Sequence, residues 1–393
     1  MSLSSSRRPL IQSSIDLIGH YQASTGAYLA APGYRTYEYS WLRDGAFIAA
    51  AMDAHGEPAS ARAFHTWVAG TVERYASKVL DLEANVELAV SRTPDPLVPL
   101  DGRYVLHTRF TVDGDEAVGA WGNFQLDGYG FWLTSVVRHL EKTGADPAPF
   151  INAIDLVCRY LSITWKLSCY DCWEEFPTRH HTTTLAAVAG GLQRSAGLLQ
   201  NDSVNAVAGL ITDRLRERAG ASGVLRKFVH DRVPEIAKVE TPAPGAVAGH
   251  ERVGRVLGEG AIDGSILLVL GDFGLDGSEV DIRRRTLAAV EATLVVESGV
   301  HRYLEDEYYG GGLWIVLAGA LACVQAEHRV ERANDILDWI EHQADGDGHL
   351  SEQTDSHLRH PDQLPPWVDR WGPPATPLLW SHAMYLLGVA STQ

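Results

Sequence analysis

Apolar residues recur at intervals of three and four along most of the chain, a spacing that suits helices and little else. Ile11, Ile15 and Ile18 mark a first helix, and Ala46 to Ala54 a second with small residues on most faces. Phe64, Trp67, Val68, Thr71, Val72 and Tyr75 form a third, and Tyr129, Trp132, Leu133, Val136, Val137 and Leu140 a fourth. Phe150, Ile154, Val157, Cys158, Leu161 and Trp165 follow as a fifth, then Leu185, Val188, Leu192 and Leu199 as a sixth. Val204 to Leu215, Ile262 to Leu270 and Leu287 to Leu294 supply the next three. Leu313 to Ala326, Val330 to Ile340 and Leu379 to Leu386 bring the series to twelve. Only Arg103–Thr111 and Val224–Val229 read as short hairpin arms, too little to carry a sheet fold.

The expected class is all-α. Each helix must bury one apolar stripe, so twelve helices without a long linker suggest a single closed domain over residues 1–393. An (α/α)6 barrel, with six inner and six outer helices, uses all of them. The second, eighth and tenth helices are apolar on most faces, which suits an inner ring. Pro234–Gly260, rich in Pro, Gly and Ala, reads as a surface excursion.

Charge narrows the partners. With 33 Lys and Arg against 50 Asp and Glu, the formal net charge is −17, which disfavours nucleic acid and anionic membranes. No apolar run reaches the roughly 18–20 residues of a membrane span. Near the N-terminus the apolar stretch is only Pro9, Leu10 and Ile11, against about 7–15 residues in a secretory leader, so a cytoplasmic protein is expected. The 4 cysteines make no disulfide framework. Cys169 and Cys172 form a CxxC without a second pair and read as buried thiols. Neither a metal nor a cofactor is expected.

The polar and aromatic clusters fall just before successive even-numbered helices. They are Tyr37, Tyr39, Trp41, Arg43 and Asp44; Trp121, Asn123, Gln125 and Asp127; and Tyr170, Asp171, Trp173, Glu174 and Glu175. Further on come Arg302, Tyr303, Glu305, Asp306, Tyr308 and Tyr309, then Glu352 and Gln353. Any one cluster reads equally as a helix entry or a solvated loop. Together, at one end of an inner ring, they converge on one pocket. Aromatic faces beside carboxylates and arginines suit a neutral, hydroxyl-rich ligand. Two carboxyl groups in such a pocket suffice for glycoside hydrolysis, one as acid and one as base.

Five ordered stretches carry a resemblance. They are Tyr39-Ser-Trp-Leu-Arg-Asp44, Trp121-Gly-Asn-Phe-Gln125, Asp171-Cys-Trp-Glu-Glu175, Arg302-Tyr-Leu-Glu-Asp306 with Trp314, and Leu350-Ser-Glu-Gln353 with Trp380-Ser-His-Ala383. In these the chain resembles glycoside hydrolase family 15, the glucoamylase-like inverting glycosidases. The resemblance implies a six-over-six α-barrel, with Glu174 as general acid and Glu352 as general base. It implies that Glu175, Arg43, Asp44 and Arg302 hold sugar hydroxyls, and that Trp121 and Trp173 wall the pocket. Trp41 and Tyr303 fall within the matching stretches as further substrate contacts. Tyr37 resembles the tyrosine beside the attacking water, and Tyr308 the tyrosine that supports it. Neither a β-sandwich before the barrel nor a starch-binding module is expected, a reading that points to short α-1,6-linked glucosides of the isomaltose type. An α-1,4 glucoamylase, a dextran glucosidase or a trehalase of the same family stays open, as does a non-catalytic sugar-binding protein. His357 to Trp371 matches nothing in the family pattern. The oligomeric state is not legible.

Overall fold

The computed structural model describes residues 7–91, 99–229, 260–275 and 279–393. Its helices are α1 (Arg8–Tyr21), α2 (Leu42–Ala54), α3 (Pro58–Arg74), α4 (Ala76–Ala84), α5 (Val86–Ser91), α6 (Asp127–Thr143) and α7 (Ala148–Thr164). They continue with α8 (Thr182–Leu199), α9 (Asp202–Ala219), α10 (Val280–Leu294), α11 (Ile315–Ala326), α12 (Val330–Glu341), α13 (Leu364–Trp371) and α14 (Leu379–Ser391). Eleven of the twelve expected helices are present as α-helices, and α4, α5 and α13 are additional.

An inner ring closes on itself. Around it, α2 packs on α6, α6 on α8, α8 on a 3₁₀ turn at Gly264–Val269, that turn on α11, α11 on α14, and α14 back on α2. Outside it, α1 backs α14, α3 backs α2, α7 and α9 back α8, α10 backs the 3₁₀ turn, and α12 backs α11. The architecture is an (α/α)6 barrel.

Side-chain chemistry separates the two layers. Inner α11 buries all but one of its residues, Ile315 to Ala326. Outer α12 buries only Ala333, Ile336, Leu337 and Ile340, one stripe of a helix whose other faces are wet. Two glycines bring α6 and α8 together. A Cβ on Gly130 would lie 2.5 Å from the Ala187 carbonyl, and one on Gly191 2.5 Å from the Gly130 carbonyl. No larger residue permits that approach.

The eighth expected helix is the correction to the sequence reading. Ile262 to Leu270 forms a 3₁₀ turn rather than an α-helix. The Asp263 carboxylate caps its start through the Ser265 N–H, and Gly271 to Gly274 end the segment. A run this short between a cap and a glycine break closes i to i+3 bonds instead of α-helical ones.

Strand content is as small as the spacing implied. Of Arg103–Thr111 only β2 (Arg109–Phe110) pairs, antiparallel with β1 (Ser40–Trp41). Val224–Val229 forms no ladder among the described residues. It makes a single antiparallel bridge, Phe228 to His181, flanked by bonds from the Val229 N–H to the His180 carbonyl and from the Thr182 N–H to the Lys227 carbonyl, while the Lys227 N–H goes to the Ala261 carbonyl and the Leu225 N–H to the Thr286 hydroxyl. A second two-strand pair joins Val295–Val296 to Gly299–Val300. Most of Pro234–Gly260 lies outside the described residues. None of the described helices is long and apolar enough to cross a membrane.

Candidate active site

Every inner helix starts at the same end of the barrel, so the segments entering them share one rim. A single pocket there is lined by Tyr37, Trp41, Arg43, Asp44, Trp121, Trp173, Glu174, Glu175, Arg302, Tyr308 and Glu352. It encloses about 920 Å³ out to its mouth, within the roughly 300–1,000 Å³ usual for small-molecule sites.

Glu174 sits in a tight turn ahead of α8. The Asp171 carboxylate organises that turn, accepting from the Trp173 N–H at 3.0 Å and the Glu175 N–H at 2.8 Å. Its other oxygen meets the Lys227 ammonium at 2.8 Å, and Lys227 also pairs with Asp263. Burial pushes the Asp171 carboxyl up, but Lys227, His181 and the hydrogen bonds outweigh it and hold the group below its usual range. Inside this frame Glu174 and Phe176 adopt φ of 64° and 52°. A side chain in that left-handed region costs about 1–3 kcal/mol, a strain typical of functional positions. The Trp41 indole and the Gln125 amide both donate to Glu174 Oε1, at 3.0 and 3.3 Å. Oε2 has no donor among the described residues.

Glu175 faces the other way. Arg302 Nη2 reaches its Oε1 at 3.5 Å and the Tyr303 hydroxyl its Oε2 at 2.5 Å. Tyr303 is therefore not a pocket-lining residue, contrary to expectation; the Glu175 carboxylate draws its hydroxyl behind the wall. Arg302 is clamped by both oxygens of Asp306, at 2.8 and 2.5 Å. Its guanidinium lies 5.3 Å from the Trp173 ring, 5.1 Å from Trp314 and 4.9 Å from Tyr308. Only Nη1 of its nitrogens lacks a protein hydrogen bond or ion pair among the described residues.

Glu352 enters before α14 and is 5 % exposed. Its backbone is fixed by the Ala375 carbonyl at 2.9 Å, and neighbouring Leu350 N–H donates to His382 Nε2 at 3.0 Å. The Tyr308 hydroxyl donates to Glu352 Oε2 at 3.0 Å, the Tyr37 hydroxyl to Oε1 at 3.4 Å, and the two hydroxyls are 2.9 Å apart. Burial pushes the Glu352 carboxyl up to about 7, against the downward pull of Tyr308, Arg302 and Tyr37. The Glu352 carbonyl accepts from the Ile315 N–H at the start of α11 at 3.3 Å, so Glu352 lies between the entries to α11 and α14 while Glu174 precedes α8, and both line the pocket from separate ring segments.

Arg43 and Asp44, 5 % and 6 % exposed, lie deep in the pocket on the first turn of α2. Arg43 Nη1 donates to Gln125 at 3.0 Å and Asp127 at 3.2 Å, and the guanidinium stacks 5.3 Å from the Trp380 ring. Arg43 Nε and Asp44 Oδ2 face each other at 3.5 Å without a hydrogen-bond partner. Burial, opposed by Arg43 and assisted by Glu174, raises the Asp44 carboxyl to about 6.

The sequence reading missed several residues. Tyr34, Trp367 and Trp371 also line the pocket, with Tyr309, which it had named only as part of a cluster, and Trp314 and Trp380, which it had quoted only as parts of matching stretches. Lys227 and Asp263 hold the Glu174 turn from 3 % and 1 % exposure. Cys169 and Cys172 are buried free thiols, as expected, and Cys172 touches the pocket.

Comparison with known proteins agrees with this geometry. Residues 5–219 match the model of glycosyl hydrolases family 15. The chain is 38 % identical over 375 residues to an isomaltose glucohydrolase of Kribbella flavida, covering 94 % of this chain and 89 % of that protein. An uncharacterized glycosyl hydrolase of Methanocaldococcus jannaschii is 23 % identical over 93 % of this chain and 52 % of its own length. A glycosidase of known structure superposes with TM-score 0.85 at 36 % identity, over 100 % of this chain and 99 % of that one. One variant of it was solved in complex with glucose. The glucoamylase of Hormoconis resinae shares the fold at TM-score 0.65 and 17 % identity, over 99 % of this chain and 72 % of that one. The barrel, the pocket at its rim and these relatives agree: the chain is a glycoside hydrolase and belongs to family 15.

Proposed function

We propose that this enzyme removes single glucose units, as β-glucose, from the non-reducing end of short α-glucosides, with isomaltose-type α-1,6 linkages preferred. The observation that carries the proposal is the pair of carboxyl groups that line one pocket from separate ring segments, each with its own set of donors. Glu174, its Oε1 held by Trp41 and Gln125, presents Oε2 to the glycosidic oxygen. Glu352, flanked by Tyr308 and Tyr37, takes a proton from water on the opposite face of the sugar. The water oxygen bonds to the anomeric carbon as the bond to the leaving sugar breaks and that sugar takes the proton from Glu174. One displacement inverts the configuration, and such enzymes hold the two carboxyl groups about 6.5–9.5 Å apart.

Exo action follows from a pocket closed at depth by Arg43 and Asp44, which accepts a chain end. The polar edges of Arg43, Asp44 and Arg302 suit the hydroxyls of that end residue. Support for the α-1,6 preference comes from the 38 % identical isomaltose glucohydrolase. Glucose release from isomaltose, maltose, panose, trehalose and soluble starch tests the reading, with Glu352→Ala as blank. Isomaltose is expected to be the best substrate. Preference for maltose or starch would replace the linkage and keep the mechanism. No release from any of them would overturn the reading.

A further inference from the structure

The segment that matches no family pattern folds into α13, and this helix has an unusual composition for its position. None of its residues is buried. Its chief neighbours are the 3₁₀ turns Tyr308–Gly310 and Pro361–Gln363. Yet Trp367 and Trp371, one helical turn apart and so on one face, both line the pocket. Two partly exposed tryptophans do not serve a core that the helix does not have. Trp367 meets the Tyr308 ring edge-on at 4.9 Å and lies over Tyr309 at 5.5 Å. That fixes α13 beside the tyrosine that bonds Glu352.

Depth in the pocket orders its occupants. The glucose to be released fits the buried Arg43–Asp44 end. The sugar that leaves has to lie nearer solvent, where Trp367 and Trp371 are half-buried. Pyranose rings present an apolar C–H face, which an indole covers without directional bonds. This suits a leaving sugar attached through a flexible linkage, since stacking tolerates several orientations where hydrogen bonds do not.

We infer that Trp367 and Trp371 of α13 form the binding platform for the leaving-group sugar and set the preference among leaving groups. The inference rests on the glucosidase reading above. The test compares kcat/KM for isomaltose with kcat/KM for α-glucosyl fluoride, whose leaving group carries no sugar. Trp367→Ala and Trp371→Ala are expected to lower the isomaltose-to-fluoride ratio by about two- to tenfold each, the range of one aromatic contact, mainly through KM. Trp367→Phe should recover part of the ratio. Because α13 buries nothing, the variants should keep the wild-type circular dichroism spectrum. An equal fall on both substrates would show that α13 only positions Tyr308 and Glu352, and would overturn the platform. An unchanged ratio would overturn it too. Wild-type enzyme inert on both substrates would instead overturn the glucosidase reading, and the platform with it.

Discussion

Tyr308→Phe removes one hydroxyl and keeps the ring. The contacts of that ring with Trp367 and Arg302 do not need the oxygen. What is lost is the 3.0 Å hydrogen bond to Glu352 and the 2.9 Å contact that holds the Tyr37 hydroxyl. Hydrogen bonds to charged groups are worth about 1.5–3 kcal/mol, and one pKa unit is 1.36 kcal/mol. Losing the bond therefore raises the Glu352 carboxyl by roughly one to two units from its value of about 7. The ionised fraction at neutral pH falls from about one half to between roughly a tenth and a hundredth. The sign is fixed by the role: a base works only when ionised, so kcat/KM falls most on the acid side and recovers as pH rises. The assay is the profile of kcat/KM on the preferred disaccharide between about pH 5 and 9. Its acid limb should move up by one to two units in the variant. A limb that stays, or moves to lower pH, would refute the argument. Stability carries a matching signature. Because the folded value lies above the ordinary 4.5, the contribution of Glu352 is complete below that and is lost as pH rises through about 7.

Three other outcomes follow from the same geometry. Glu174→Gln should lower kcat on isomaltose about a hundred- to ten-thousandfold but spare much more of the turnover of α-glucosyl fluoride, whose leaving group needs no proton; equal losses on both would remove Glu174 from the acid role. Lys227→Met leaves Asp171 and Asp263 buried without their cation, which should destabilise the fold by about 3–5 kcal/mol; thermal unfolding at an unchanged midpoint would mean that the triad does not hold the turn. Burial lowers His382 from 6.5 to about 3 while it bridges the Ser14 hydroxyl and the Leu350 N–H. Stability linked to it is present above 6.5 and is lost as pH falls toward 3, by about 3 kcal/mol at pH 4. Urea unfolding at pH 7 and pH 4 should show a shallower acid loss in His382→Gln than in the wild type, and parallel losses would contradict this.

Periodicity revealed the barrel because its inner and outer helices differ in how many faces are apolar, a property of the local sequence. It failed at Ile262–Leu270, where an apolar run fits a helix of either pitch and the decisive facts are the Asp263 cap and Gly271. It also failed at Leu364–Trp371, where Pro365 and Pro366 signal a loop although they occupy a helix start, the one place a helix tolerates them. Among site residues, those in compact clusters such as Trp41-Leu-Arg-Asp44 were visible because aromatic and charged types crowd together before an inner helix. Lys227 was not visible. It follows Arg226 in a strand-like run with no carboxylate beside it, and its partners Asp171 and Asp263 lie 56 and 36 positions away. Tyr303 adjoins Arg302 in sequence, but its hydroxyl goes behind the pocket wall to Glu175, a direction that composition does not encode. The left-handed backbone at Glu174 was equally silent, since glutamate gives no hint of φ as glycine does.

The most direct test of the central claim, that Glu174 and Glu352 act as an acid and base pair in one displacement, is the anomer first released. Proton NMR of early hydrolysis of isomaltose follows the anomeric signals before mutarotation mixes them. The account predicts β-glucose from the α-linked bond. Initial α-glucose would mean retention through a covalent intermediate, and would contradict it.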